Sequence, residues 1–170
     1  MDPQTLAHAV EYTEHLFTRY LSGFQDDTRT TMTTDLPNHP IWMLGHCALS
    51  MNRLAERFDG QGLPETDYVP GGDDLRFDPD LVSKGSVPLE DPARYPGLAR
   101  GLEVFRAAIT RLAGAVRGTS AEMLDTPTVH HGTTLTNGEL VLRICFHNGC
   151  HAGQLTDLRR AIEFPRVIPD

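Results

Sequence analysis

Apolar residues recur along this chain at the three- and four-residue spacing of helices, in four separate runs. The first follows Asp2-Pro3, an N-cap with proline at the first helical position, and its stripe is Leu6, Val10, Phe17, Leu21 and Phe24. The second opens at Pro40 and runs through Ile41, Leu44, Ala48, Met51, Leu54, Ala55 and Phe58. Asp59-Gly60 closes it, glycine being the usual residue past a helix end. A third run covers roughly Tyr95 to Arg117, with Leu98, Leu102, Phe105, Ile109, Leu112 and Val116 on one face. The fourth starts at Thr136, where Thr-Asn-Gly-Glu places a capping Thr136 three residues before Glu139, and it ends around Glu163, before Pro165. No stretch predicts a strand.

Between the second and third runs, from about Gly60 to Pro92, the composition turns to Gly, Pro and Asp. A connection of that length can traverse a helical bundle from end to end and let the helices on either side of it run parallel. The expectation is therefore all-α: a single domain over residues 1–170, a four-helix bundle with a long crossover between helices two and three. No internal repeat or low-complexity tract interrupts this pattern.

Charge removes several function classes. The chain carries 15 basic against 23 acidic residues, a formal net charge of −8. That balance disfavours a nucleic-acid backbone or an anionic membrane as partner. No apolar run is long enough to span a bilayer. The N-terminus lacks the basic and apolar regions of a secretory signal, so a cytoplasmic location is expected. The three cysteines do not form a disulfide framework: Cys145 and Cys150 point apart on one helix, and Cys47 reads as a small buried hydrophobe.

The fourth helix departs from an ordinary core pattern. At about 100° per residue, Leu140, Ile144, His147, His151, Gln154, Leu158 and Ile162 fall on one arc. Two imidazoles at i, i+4 inside an apolar stripe can converge on one point, the way a helix offers two ligands to a metal. The same pair can equally be core histidines bonded to carbonyls. A third ligand would come from helix two, where His46 lies between Trp42 and Leu49 in "NHPIWMLGHC". Three imidazoles from two helices leave a coordination position open, as catalytic rather than structural sites do. Gln154 either supports a ligand imidazole or satisfies a neighbouring helix.

The remaining histidines carry weaker readings. His130 and His131 precede the fourth helix and are either solvated loop residues or line the mouth of the site. His8 and His15 read as surface, and His39 as part of a cap. Gly149 and Gly153, opposite the ligand face, suggest close approach of another helix, in the chain or in a dimer. Arg159-Arg160 complements the helix dipole.

The segments "NHPIWMLGHC" and "FHNGCHAGQLTDLRR" together resemble the DinB/YfiT-like superfamily of metal-binding four-helix bundles. Trp42, Gly45 and His46 match its W-x-x-G-H element. His147, His151, Gly153, Gln154, Leu155, Leu158, Arg159 and Arg160 match its H-x-x-x-H-x-G-Q-L-x-x-L-R-R element. The resemblance extends over nearly the whole chain in helix order. It implies a metal held by His46, His147 and His151, and frequently a homodimer. Related families include transferases and isomerases that use low-molecular-weight thiols, and damage-inducible proteins.

Two other metal motifs are excluded by the residues. A zinc protease of the H-E-x-x-H type needs a glutamate where this chain has Asn148, and no Glu-x-x-His pairs exist for a ferritin-like di-iron site. Neutral imidazoles suit Zn²⁺ or Ni²⁺, which acidify a bound water or thiol. The expected function is a metal-dependent enzyme acting on a small molecule, a thiol-dependent S-transferase or a hydrolase, with no catalytic acid or base assigned. The alternatives are a non-catalytic, stress- or damage-associated metal-binding bundle, and a protein without metal.

Overall fold

A computed structural model describes residues 1–167. Four long helices account for most of it: α1 (Pro3–Leu21), α2 (Pro40–Asp59), α3 (Leu98–Arg117) and, after two intervening short elements, a last helix at Asn137–Ala161. Before that last helix come α4 (Ala121–Asp125) and a hairpin of β1 (Pro127–His130) and β2 (Thr133–Thr136), which makes the last helix α5. A single 3-10 turn, Pro92–Arg94, precedes α3.

The helix ends follow from local chemistry. Asp2 accepts the Thr5 N–H and Pro3 opens α1. His39 caps α2 by accepting the Trp42 N–H, with Pro40 at the first position, and Gly60 ends that helix in the left-handed region at φ 69°. The capping box at α5 is complete: Glu139 N–H donates to the Thr136 hydroxyl, and the Glu139 carboxylate accepts the Thr136 N–H. The expected boundaries shift slightly, since α3 begins at Leu98 rather than Tyr95 and α5 ends at Ala161 rather than Glu163. The 3-10 turn, which opens at Pro92, takes up part of the segment before α3.

Two short elements correct the all-helical expectation. Ser120 caps the brief α4. Residues Pro127–Thr136 form an antiparallel hairpin in which Val129 pairs with Thr134 and His130 with Thr133. His131 and Gly132 both have positive φ, 50° and 79°, as a two-residue turn matched to the twist of the strands requires. The strands are four residues each and mostly exposed, so no long alternating run announced them.

The core lies where α1 packs on α3 and α5, and α2 on α3 and α5. Phe17, Phe105, Ile41, Leu44, Met51, Leu112 and Leu155 are among its fully buried side chains. The connection after α2 also enters the core through Phe77 and Val82, both completely buried. Gly101 permits the α2–α3 approach: a Cβ there would collide with Ile41 Cδ1. At the far end, buried Arg159 donates to the carbonyls of Tyr20, Ser22 and Pro165 and stacks near Phe24 and Phe164. It ties the end of α5 to the end of α1, a larger role than dipole complementation. Among the described residues no helix is long and apolar enough to cross a membrane.

Candidate metal centre

His46 projects from the middle of α2, and His147 and His151 project one turn apart from α5. Packing of α2 against α5 brings the three rings together. His46 Nε2 and His147 Nε2 are 3.0 Å apart. One ligand atom from each of the three rings lies within 4.8 Å of the others, a group able to hold a divalent ion.

Two of the three rings are oriented by what lies behind them. The Val82 carbonyl can only accept, so His46 donates Nδ1–H to it at 2.8 Å and keeps its Nε2 lone pair for the centre. His151 Nδ1–H donates to Gln154 Oε1 at 2.8 Å, and Asn38 Nδ2 donates to the same oxygen at 3.1 Å. His151 Nε2 is thereby also left as an acceptor. His147 Nδ1 is buried without a hydrogen-bond partner among the described residues. His46 Nε2 and His147 Nε2 at 3.0 Å hold either the His147 proton between them or a common cation, and the His151 acceptor beside them suits the cation.

The electrostatics agree with that fit. Burial, followed by the neighbouring histidines, pushes His147 and His151 down to about 4. Burial also lowers His46. All three are therefore neutral near pH 7, with the lone pairs a metal requires. His46 and His151 are 7 % and 9 % exposed, while His147 is half-buried and opens the cluster toward solvent.

Trp42 forms one wall. Its ring stacks on His46 with centroids 4.5 Å apart and planes 9° apart. Its indole N–H donates to the Leu81 carbonyl and the Ser86 hydroxyl, which fixes the ring against the connection following α2. Gly45 lets that connection come close: a Cβ at this position would lie 2.7 Å from Phe77 and 2.8 Å from Val82. The W-x-x-G-H spacing thus carries a stacking wall, a gap for Val82 and the histidine that Val82 orients.

Asn148 is engaged through its amide N–H on the other side of the helix, while its side chain also acts on His147. It is buried and donates to Thr13 Oγ1 and Met51 Sδ, at the α1–α2 side of α5. Cys47 is fully buried outside the histidine group, Cys145 is half-buried and Cys150 exposed. His8 and His15 lie on the exposed surface of α1. Nothing comes within 4 Å of a Cβ built at Gly149 or Gly153, so close approach within the chain does not explain them. His130 and His131 sit on the hairpin, where Lys84 Nζ donates to His131 Nε2 at 3.3 Å. Val82 and Asn38 were not singled out in the sequence: a backbone carbonyl in a long connection has no residue-type signature, and the partner of Asn38, Gln154, lies 116 residues away.

Residues 9–155 match the DinB superfamily. The chain belongs to the DinB superfamily. A solved structure, described as the conserved protein of a locus from Enterococcus faecalis, superposes with a TM-score of 0.72 over 94% of this chain and 96% of the other. The two are 15% identical, a likeness that shows the fold alone. No curated protein matches the sequence.

Proposed function

We propose that this DinB-superfamily protein is a metal-dependent enzyme acting on a small molecule, with Zn²⁺ or Ni²⁺ held by His46, His147 and His151. The observation that carries the reading is the convergence of three neutral imidazoles from two helices, two of them backed by the Val82 carbonyl and by Gln154. Imidazole-only ligation leaves the ion's full charge at the centre and suits those two metals. When bound, such an ion supplies the Lewis acidity that makes water or a thiol nucleophilic at neutral pH.

The chain's own residues do the rest. Gln154, held by Asn38, keeps the His151 proton on Nδ1. Val82 does the same for His46, and Trp42 shields that ring from water. Half-exposed His147 marks the side on which a small molecule, such as a low-molecular-weight thiol, enters. The reaction is transfer to or from that thiol, or hydrolysis. We further propose that residues 1–170 are one domain, a four-helix bundle of α1, α2, α3 and α5 with a crossover between α2 and α3. A homodimer is proposed on the exposed α5 face carrying Leu142, Phe146, Gly149 and Gly153.

Metal analysis of tag-free protein tests the centre. Stoichiometric Zn or Ni that disappears in a His147→Ala, His151→Ala double variant is expected, and no metal under any loading condition overturns it. Screening the metal-loaded protein against thiol acceptors, esters and amides tests catalysis. Metal binding without turnover in any of these assays would leave a non-catalytic metal-binding protein.

A further inference from the structure

Seven of the fifteen cations of this acidic chain stand in ion pairs among the described residues, and Arg19 and Arg159 donate to backbone carbonyls instead. Arg29, Arg76, Arg100, Arg106, Arg111, Arg117 and Arg160 each approach a carboxylate. Arg53, Arg57, Arg143 and Lys84 do not: among the described residues none of the four forms an ion pair. Arg57 donates to the Thr128 hydroxyl at 2.8 Å, and Lys84 meets His131. All four are exposed.

These four belong to one side of the molecule. Arg143 precedes His147 by one helical turn on the same face of α5. Arg53 follows His46 by two turns of α2, about 10.5 Å along the axis at 1.5 Å per residue, and Arg57 continues that face. The bond from Arg57 to Thr128 fastens the hairpin beside them. Lys84 lies two residues beyond Val82, whose carbonyl orients His46, and reaches the hairpin turn. The charges of Arg143, Arg57 and Lys84 all act on His130, while Arg53 acts on His46 and Arg143 on His147.

The neighbouring acids are engaged elsewhere or unpaired with this group. Asp59 is held by Arg111, and Glu139 by the α5 cap. Glu56 forms no ion pair with Arg53 or Arg57 among the described residues. A chain with eight surplus negative charges has ample carboxylates to neutralise these cations, yet leaves all four without an ion pair among the described residues, on the elements that carry the histidines and the hairpin beside them. A rim of one sign above a partly buried site raises the local concentration of the opposite charge.

We propose that Arg53, Arg57, Arg143 and Lys84 form a recognition rim for a small organic anion, bearing a carboxylate or phosphate, whose other end reaches the three histidines. Binding of the anion is a property of the rim, while its role as substrate rests on the function proposed above. Arginine suits this task because its planar fork donates two parallel bonds to either anion. The hairpin, bound through Thr128 and His131, would close one side of the rim.

The test uses the full chain without metal, at pH 8, titrated with succinate, glycerol 3-phosphate and glycerol and followed by NMR of the histidine ring resonances. Succinate, glycerol 3-phosphate or both should shift the His130, His131 and His147 signals, and glycerol should not. Which anion binds more tightly distinguishes carboxylate from phosphate recognition. An Arg53→Gln, Arg143→Gln double variant should bind the anion at least about tenfold more weakly, as loss of charge-assisted bonds implies. The Arg53→Lys, Arg143→Lys variant should recover part of that loss, and Arg160→Gln should change nothing. Both targeted arginines are exposed, so unchanged circular dichroism is expected. Equal binding of glycerol and the anions, or undiminished binding by the glutamine variant, overturns the proposal. Anion binding in a protein that never takes up metal would keep the rim and remove the metal reading. Metal uptake without anion binding would do the reverse.

Discussion

His46 Nδ1 lies 2.8 Å from the carbonyl oxygen of Val82, a residue of the long connection after α2. That bond fixes the tautomer of His46 and aims Nε2 at His147. Its geometry depends on Gly45, whose missing Cβ leaves the space that Phe77 and Val82 occupy.

Gly45→Ala is therefore expected to destabilise the protein by about 1–3 kcal/mol, the usual cost of overpacking. It should also weaken metal binding, because displaced Val82 no longer orients His46. Denaturant unfolding of metal-free protein and competitive chelator titration measure the two effects. Wild-type values in both would show that the connection does not position the histidine.

Gln154→Leu removes the acceptor of the His151 N–H while keeping a side chain of similar size. Metal affinity should fall by about 10- to 100-fold, the range for loss of a partner behind a ligand histidine. Asn38→Ala, which leaves Gln154 in place, should cost less. A metal-competition assay on both variants gives the ranking, and an unaffected Gln154→Leu would assign that glutamine to packing alone.

Asn148→Glu would create the H-E-x-x-H motif in the sequence. It should not create a protease, because residue 148 is buried and its side chain is committed to Thr13 and Met51 rather than to a water at the open side of the centre. Asn148 is 1 % exposed, and an unpaired carboxylate there should cost about 3–5 kcal/mol. Unfolding curves at pH 7 check the loss, and peptidase activity in this variant would show that residue 148 can reach a water at the centre.

His39 gives the fold a pH dependence separate from the metal centre. Its Nδ1 accepts the Trp42 N–H, its Nε2–H donates to the Leu89 carbonyl, and burial pushes it down to about 4. A depressed histidine stays neutral in the fold while the unfolded chain takes up a proton below about 6.5. Stability should therefore fall as pH drops from about 6.5 to about 4, by at most about 1.4 kcal/mol per pH unit from this residue. Above that window His39 contributes no pH dependence. His39→Asn retains a capping acceptor and should flatten the slope of metal-free protein measured by urea unfolding. An unchanged slope would show that His39 titrates alike in both states.

The helices were legible because their signals are local. Asp2-Pro3, Pro40, Asp59-Gly60 and the Thr136–Glu139 box mark ends through hydrogen bonds made within one turn. The stripes through Leu6, Val10 and Phe17, or Phe105, Ile109 and Leu112, are the buried residues of α1 and α3. The hairpin escaped because its strands bury little, and two four-residue runs, Pro127–His130 and Thr133–Thr136, lack the length that periodicity needs.

The sequence by itself determined that His147 and His151 share a helix face, that His46 sits near Trp42 and Gly45, and that Asn148 excludes one motif. Spacing along a helix fixes direction, so these relations need no partner element. Only the tertiary structure decided that the three rings meet, that a carbonyl from the α2–α3 connection orients one of them, and that Arg57 and Lys84 reach the hairpin rather than a carboxylate. Those relations join residues far apart in the chain through packing, and a backbone carbonyl or an absent counter-charge has no letter in the sequence.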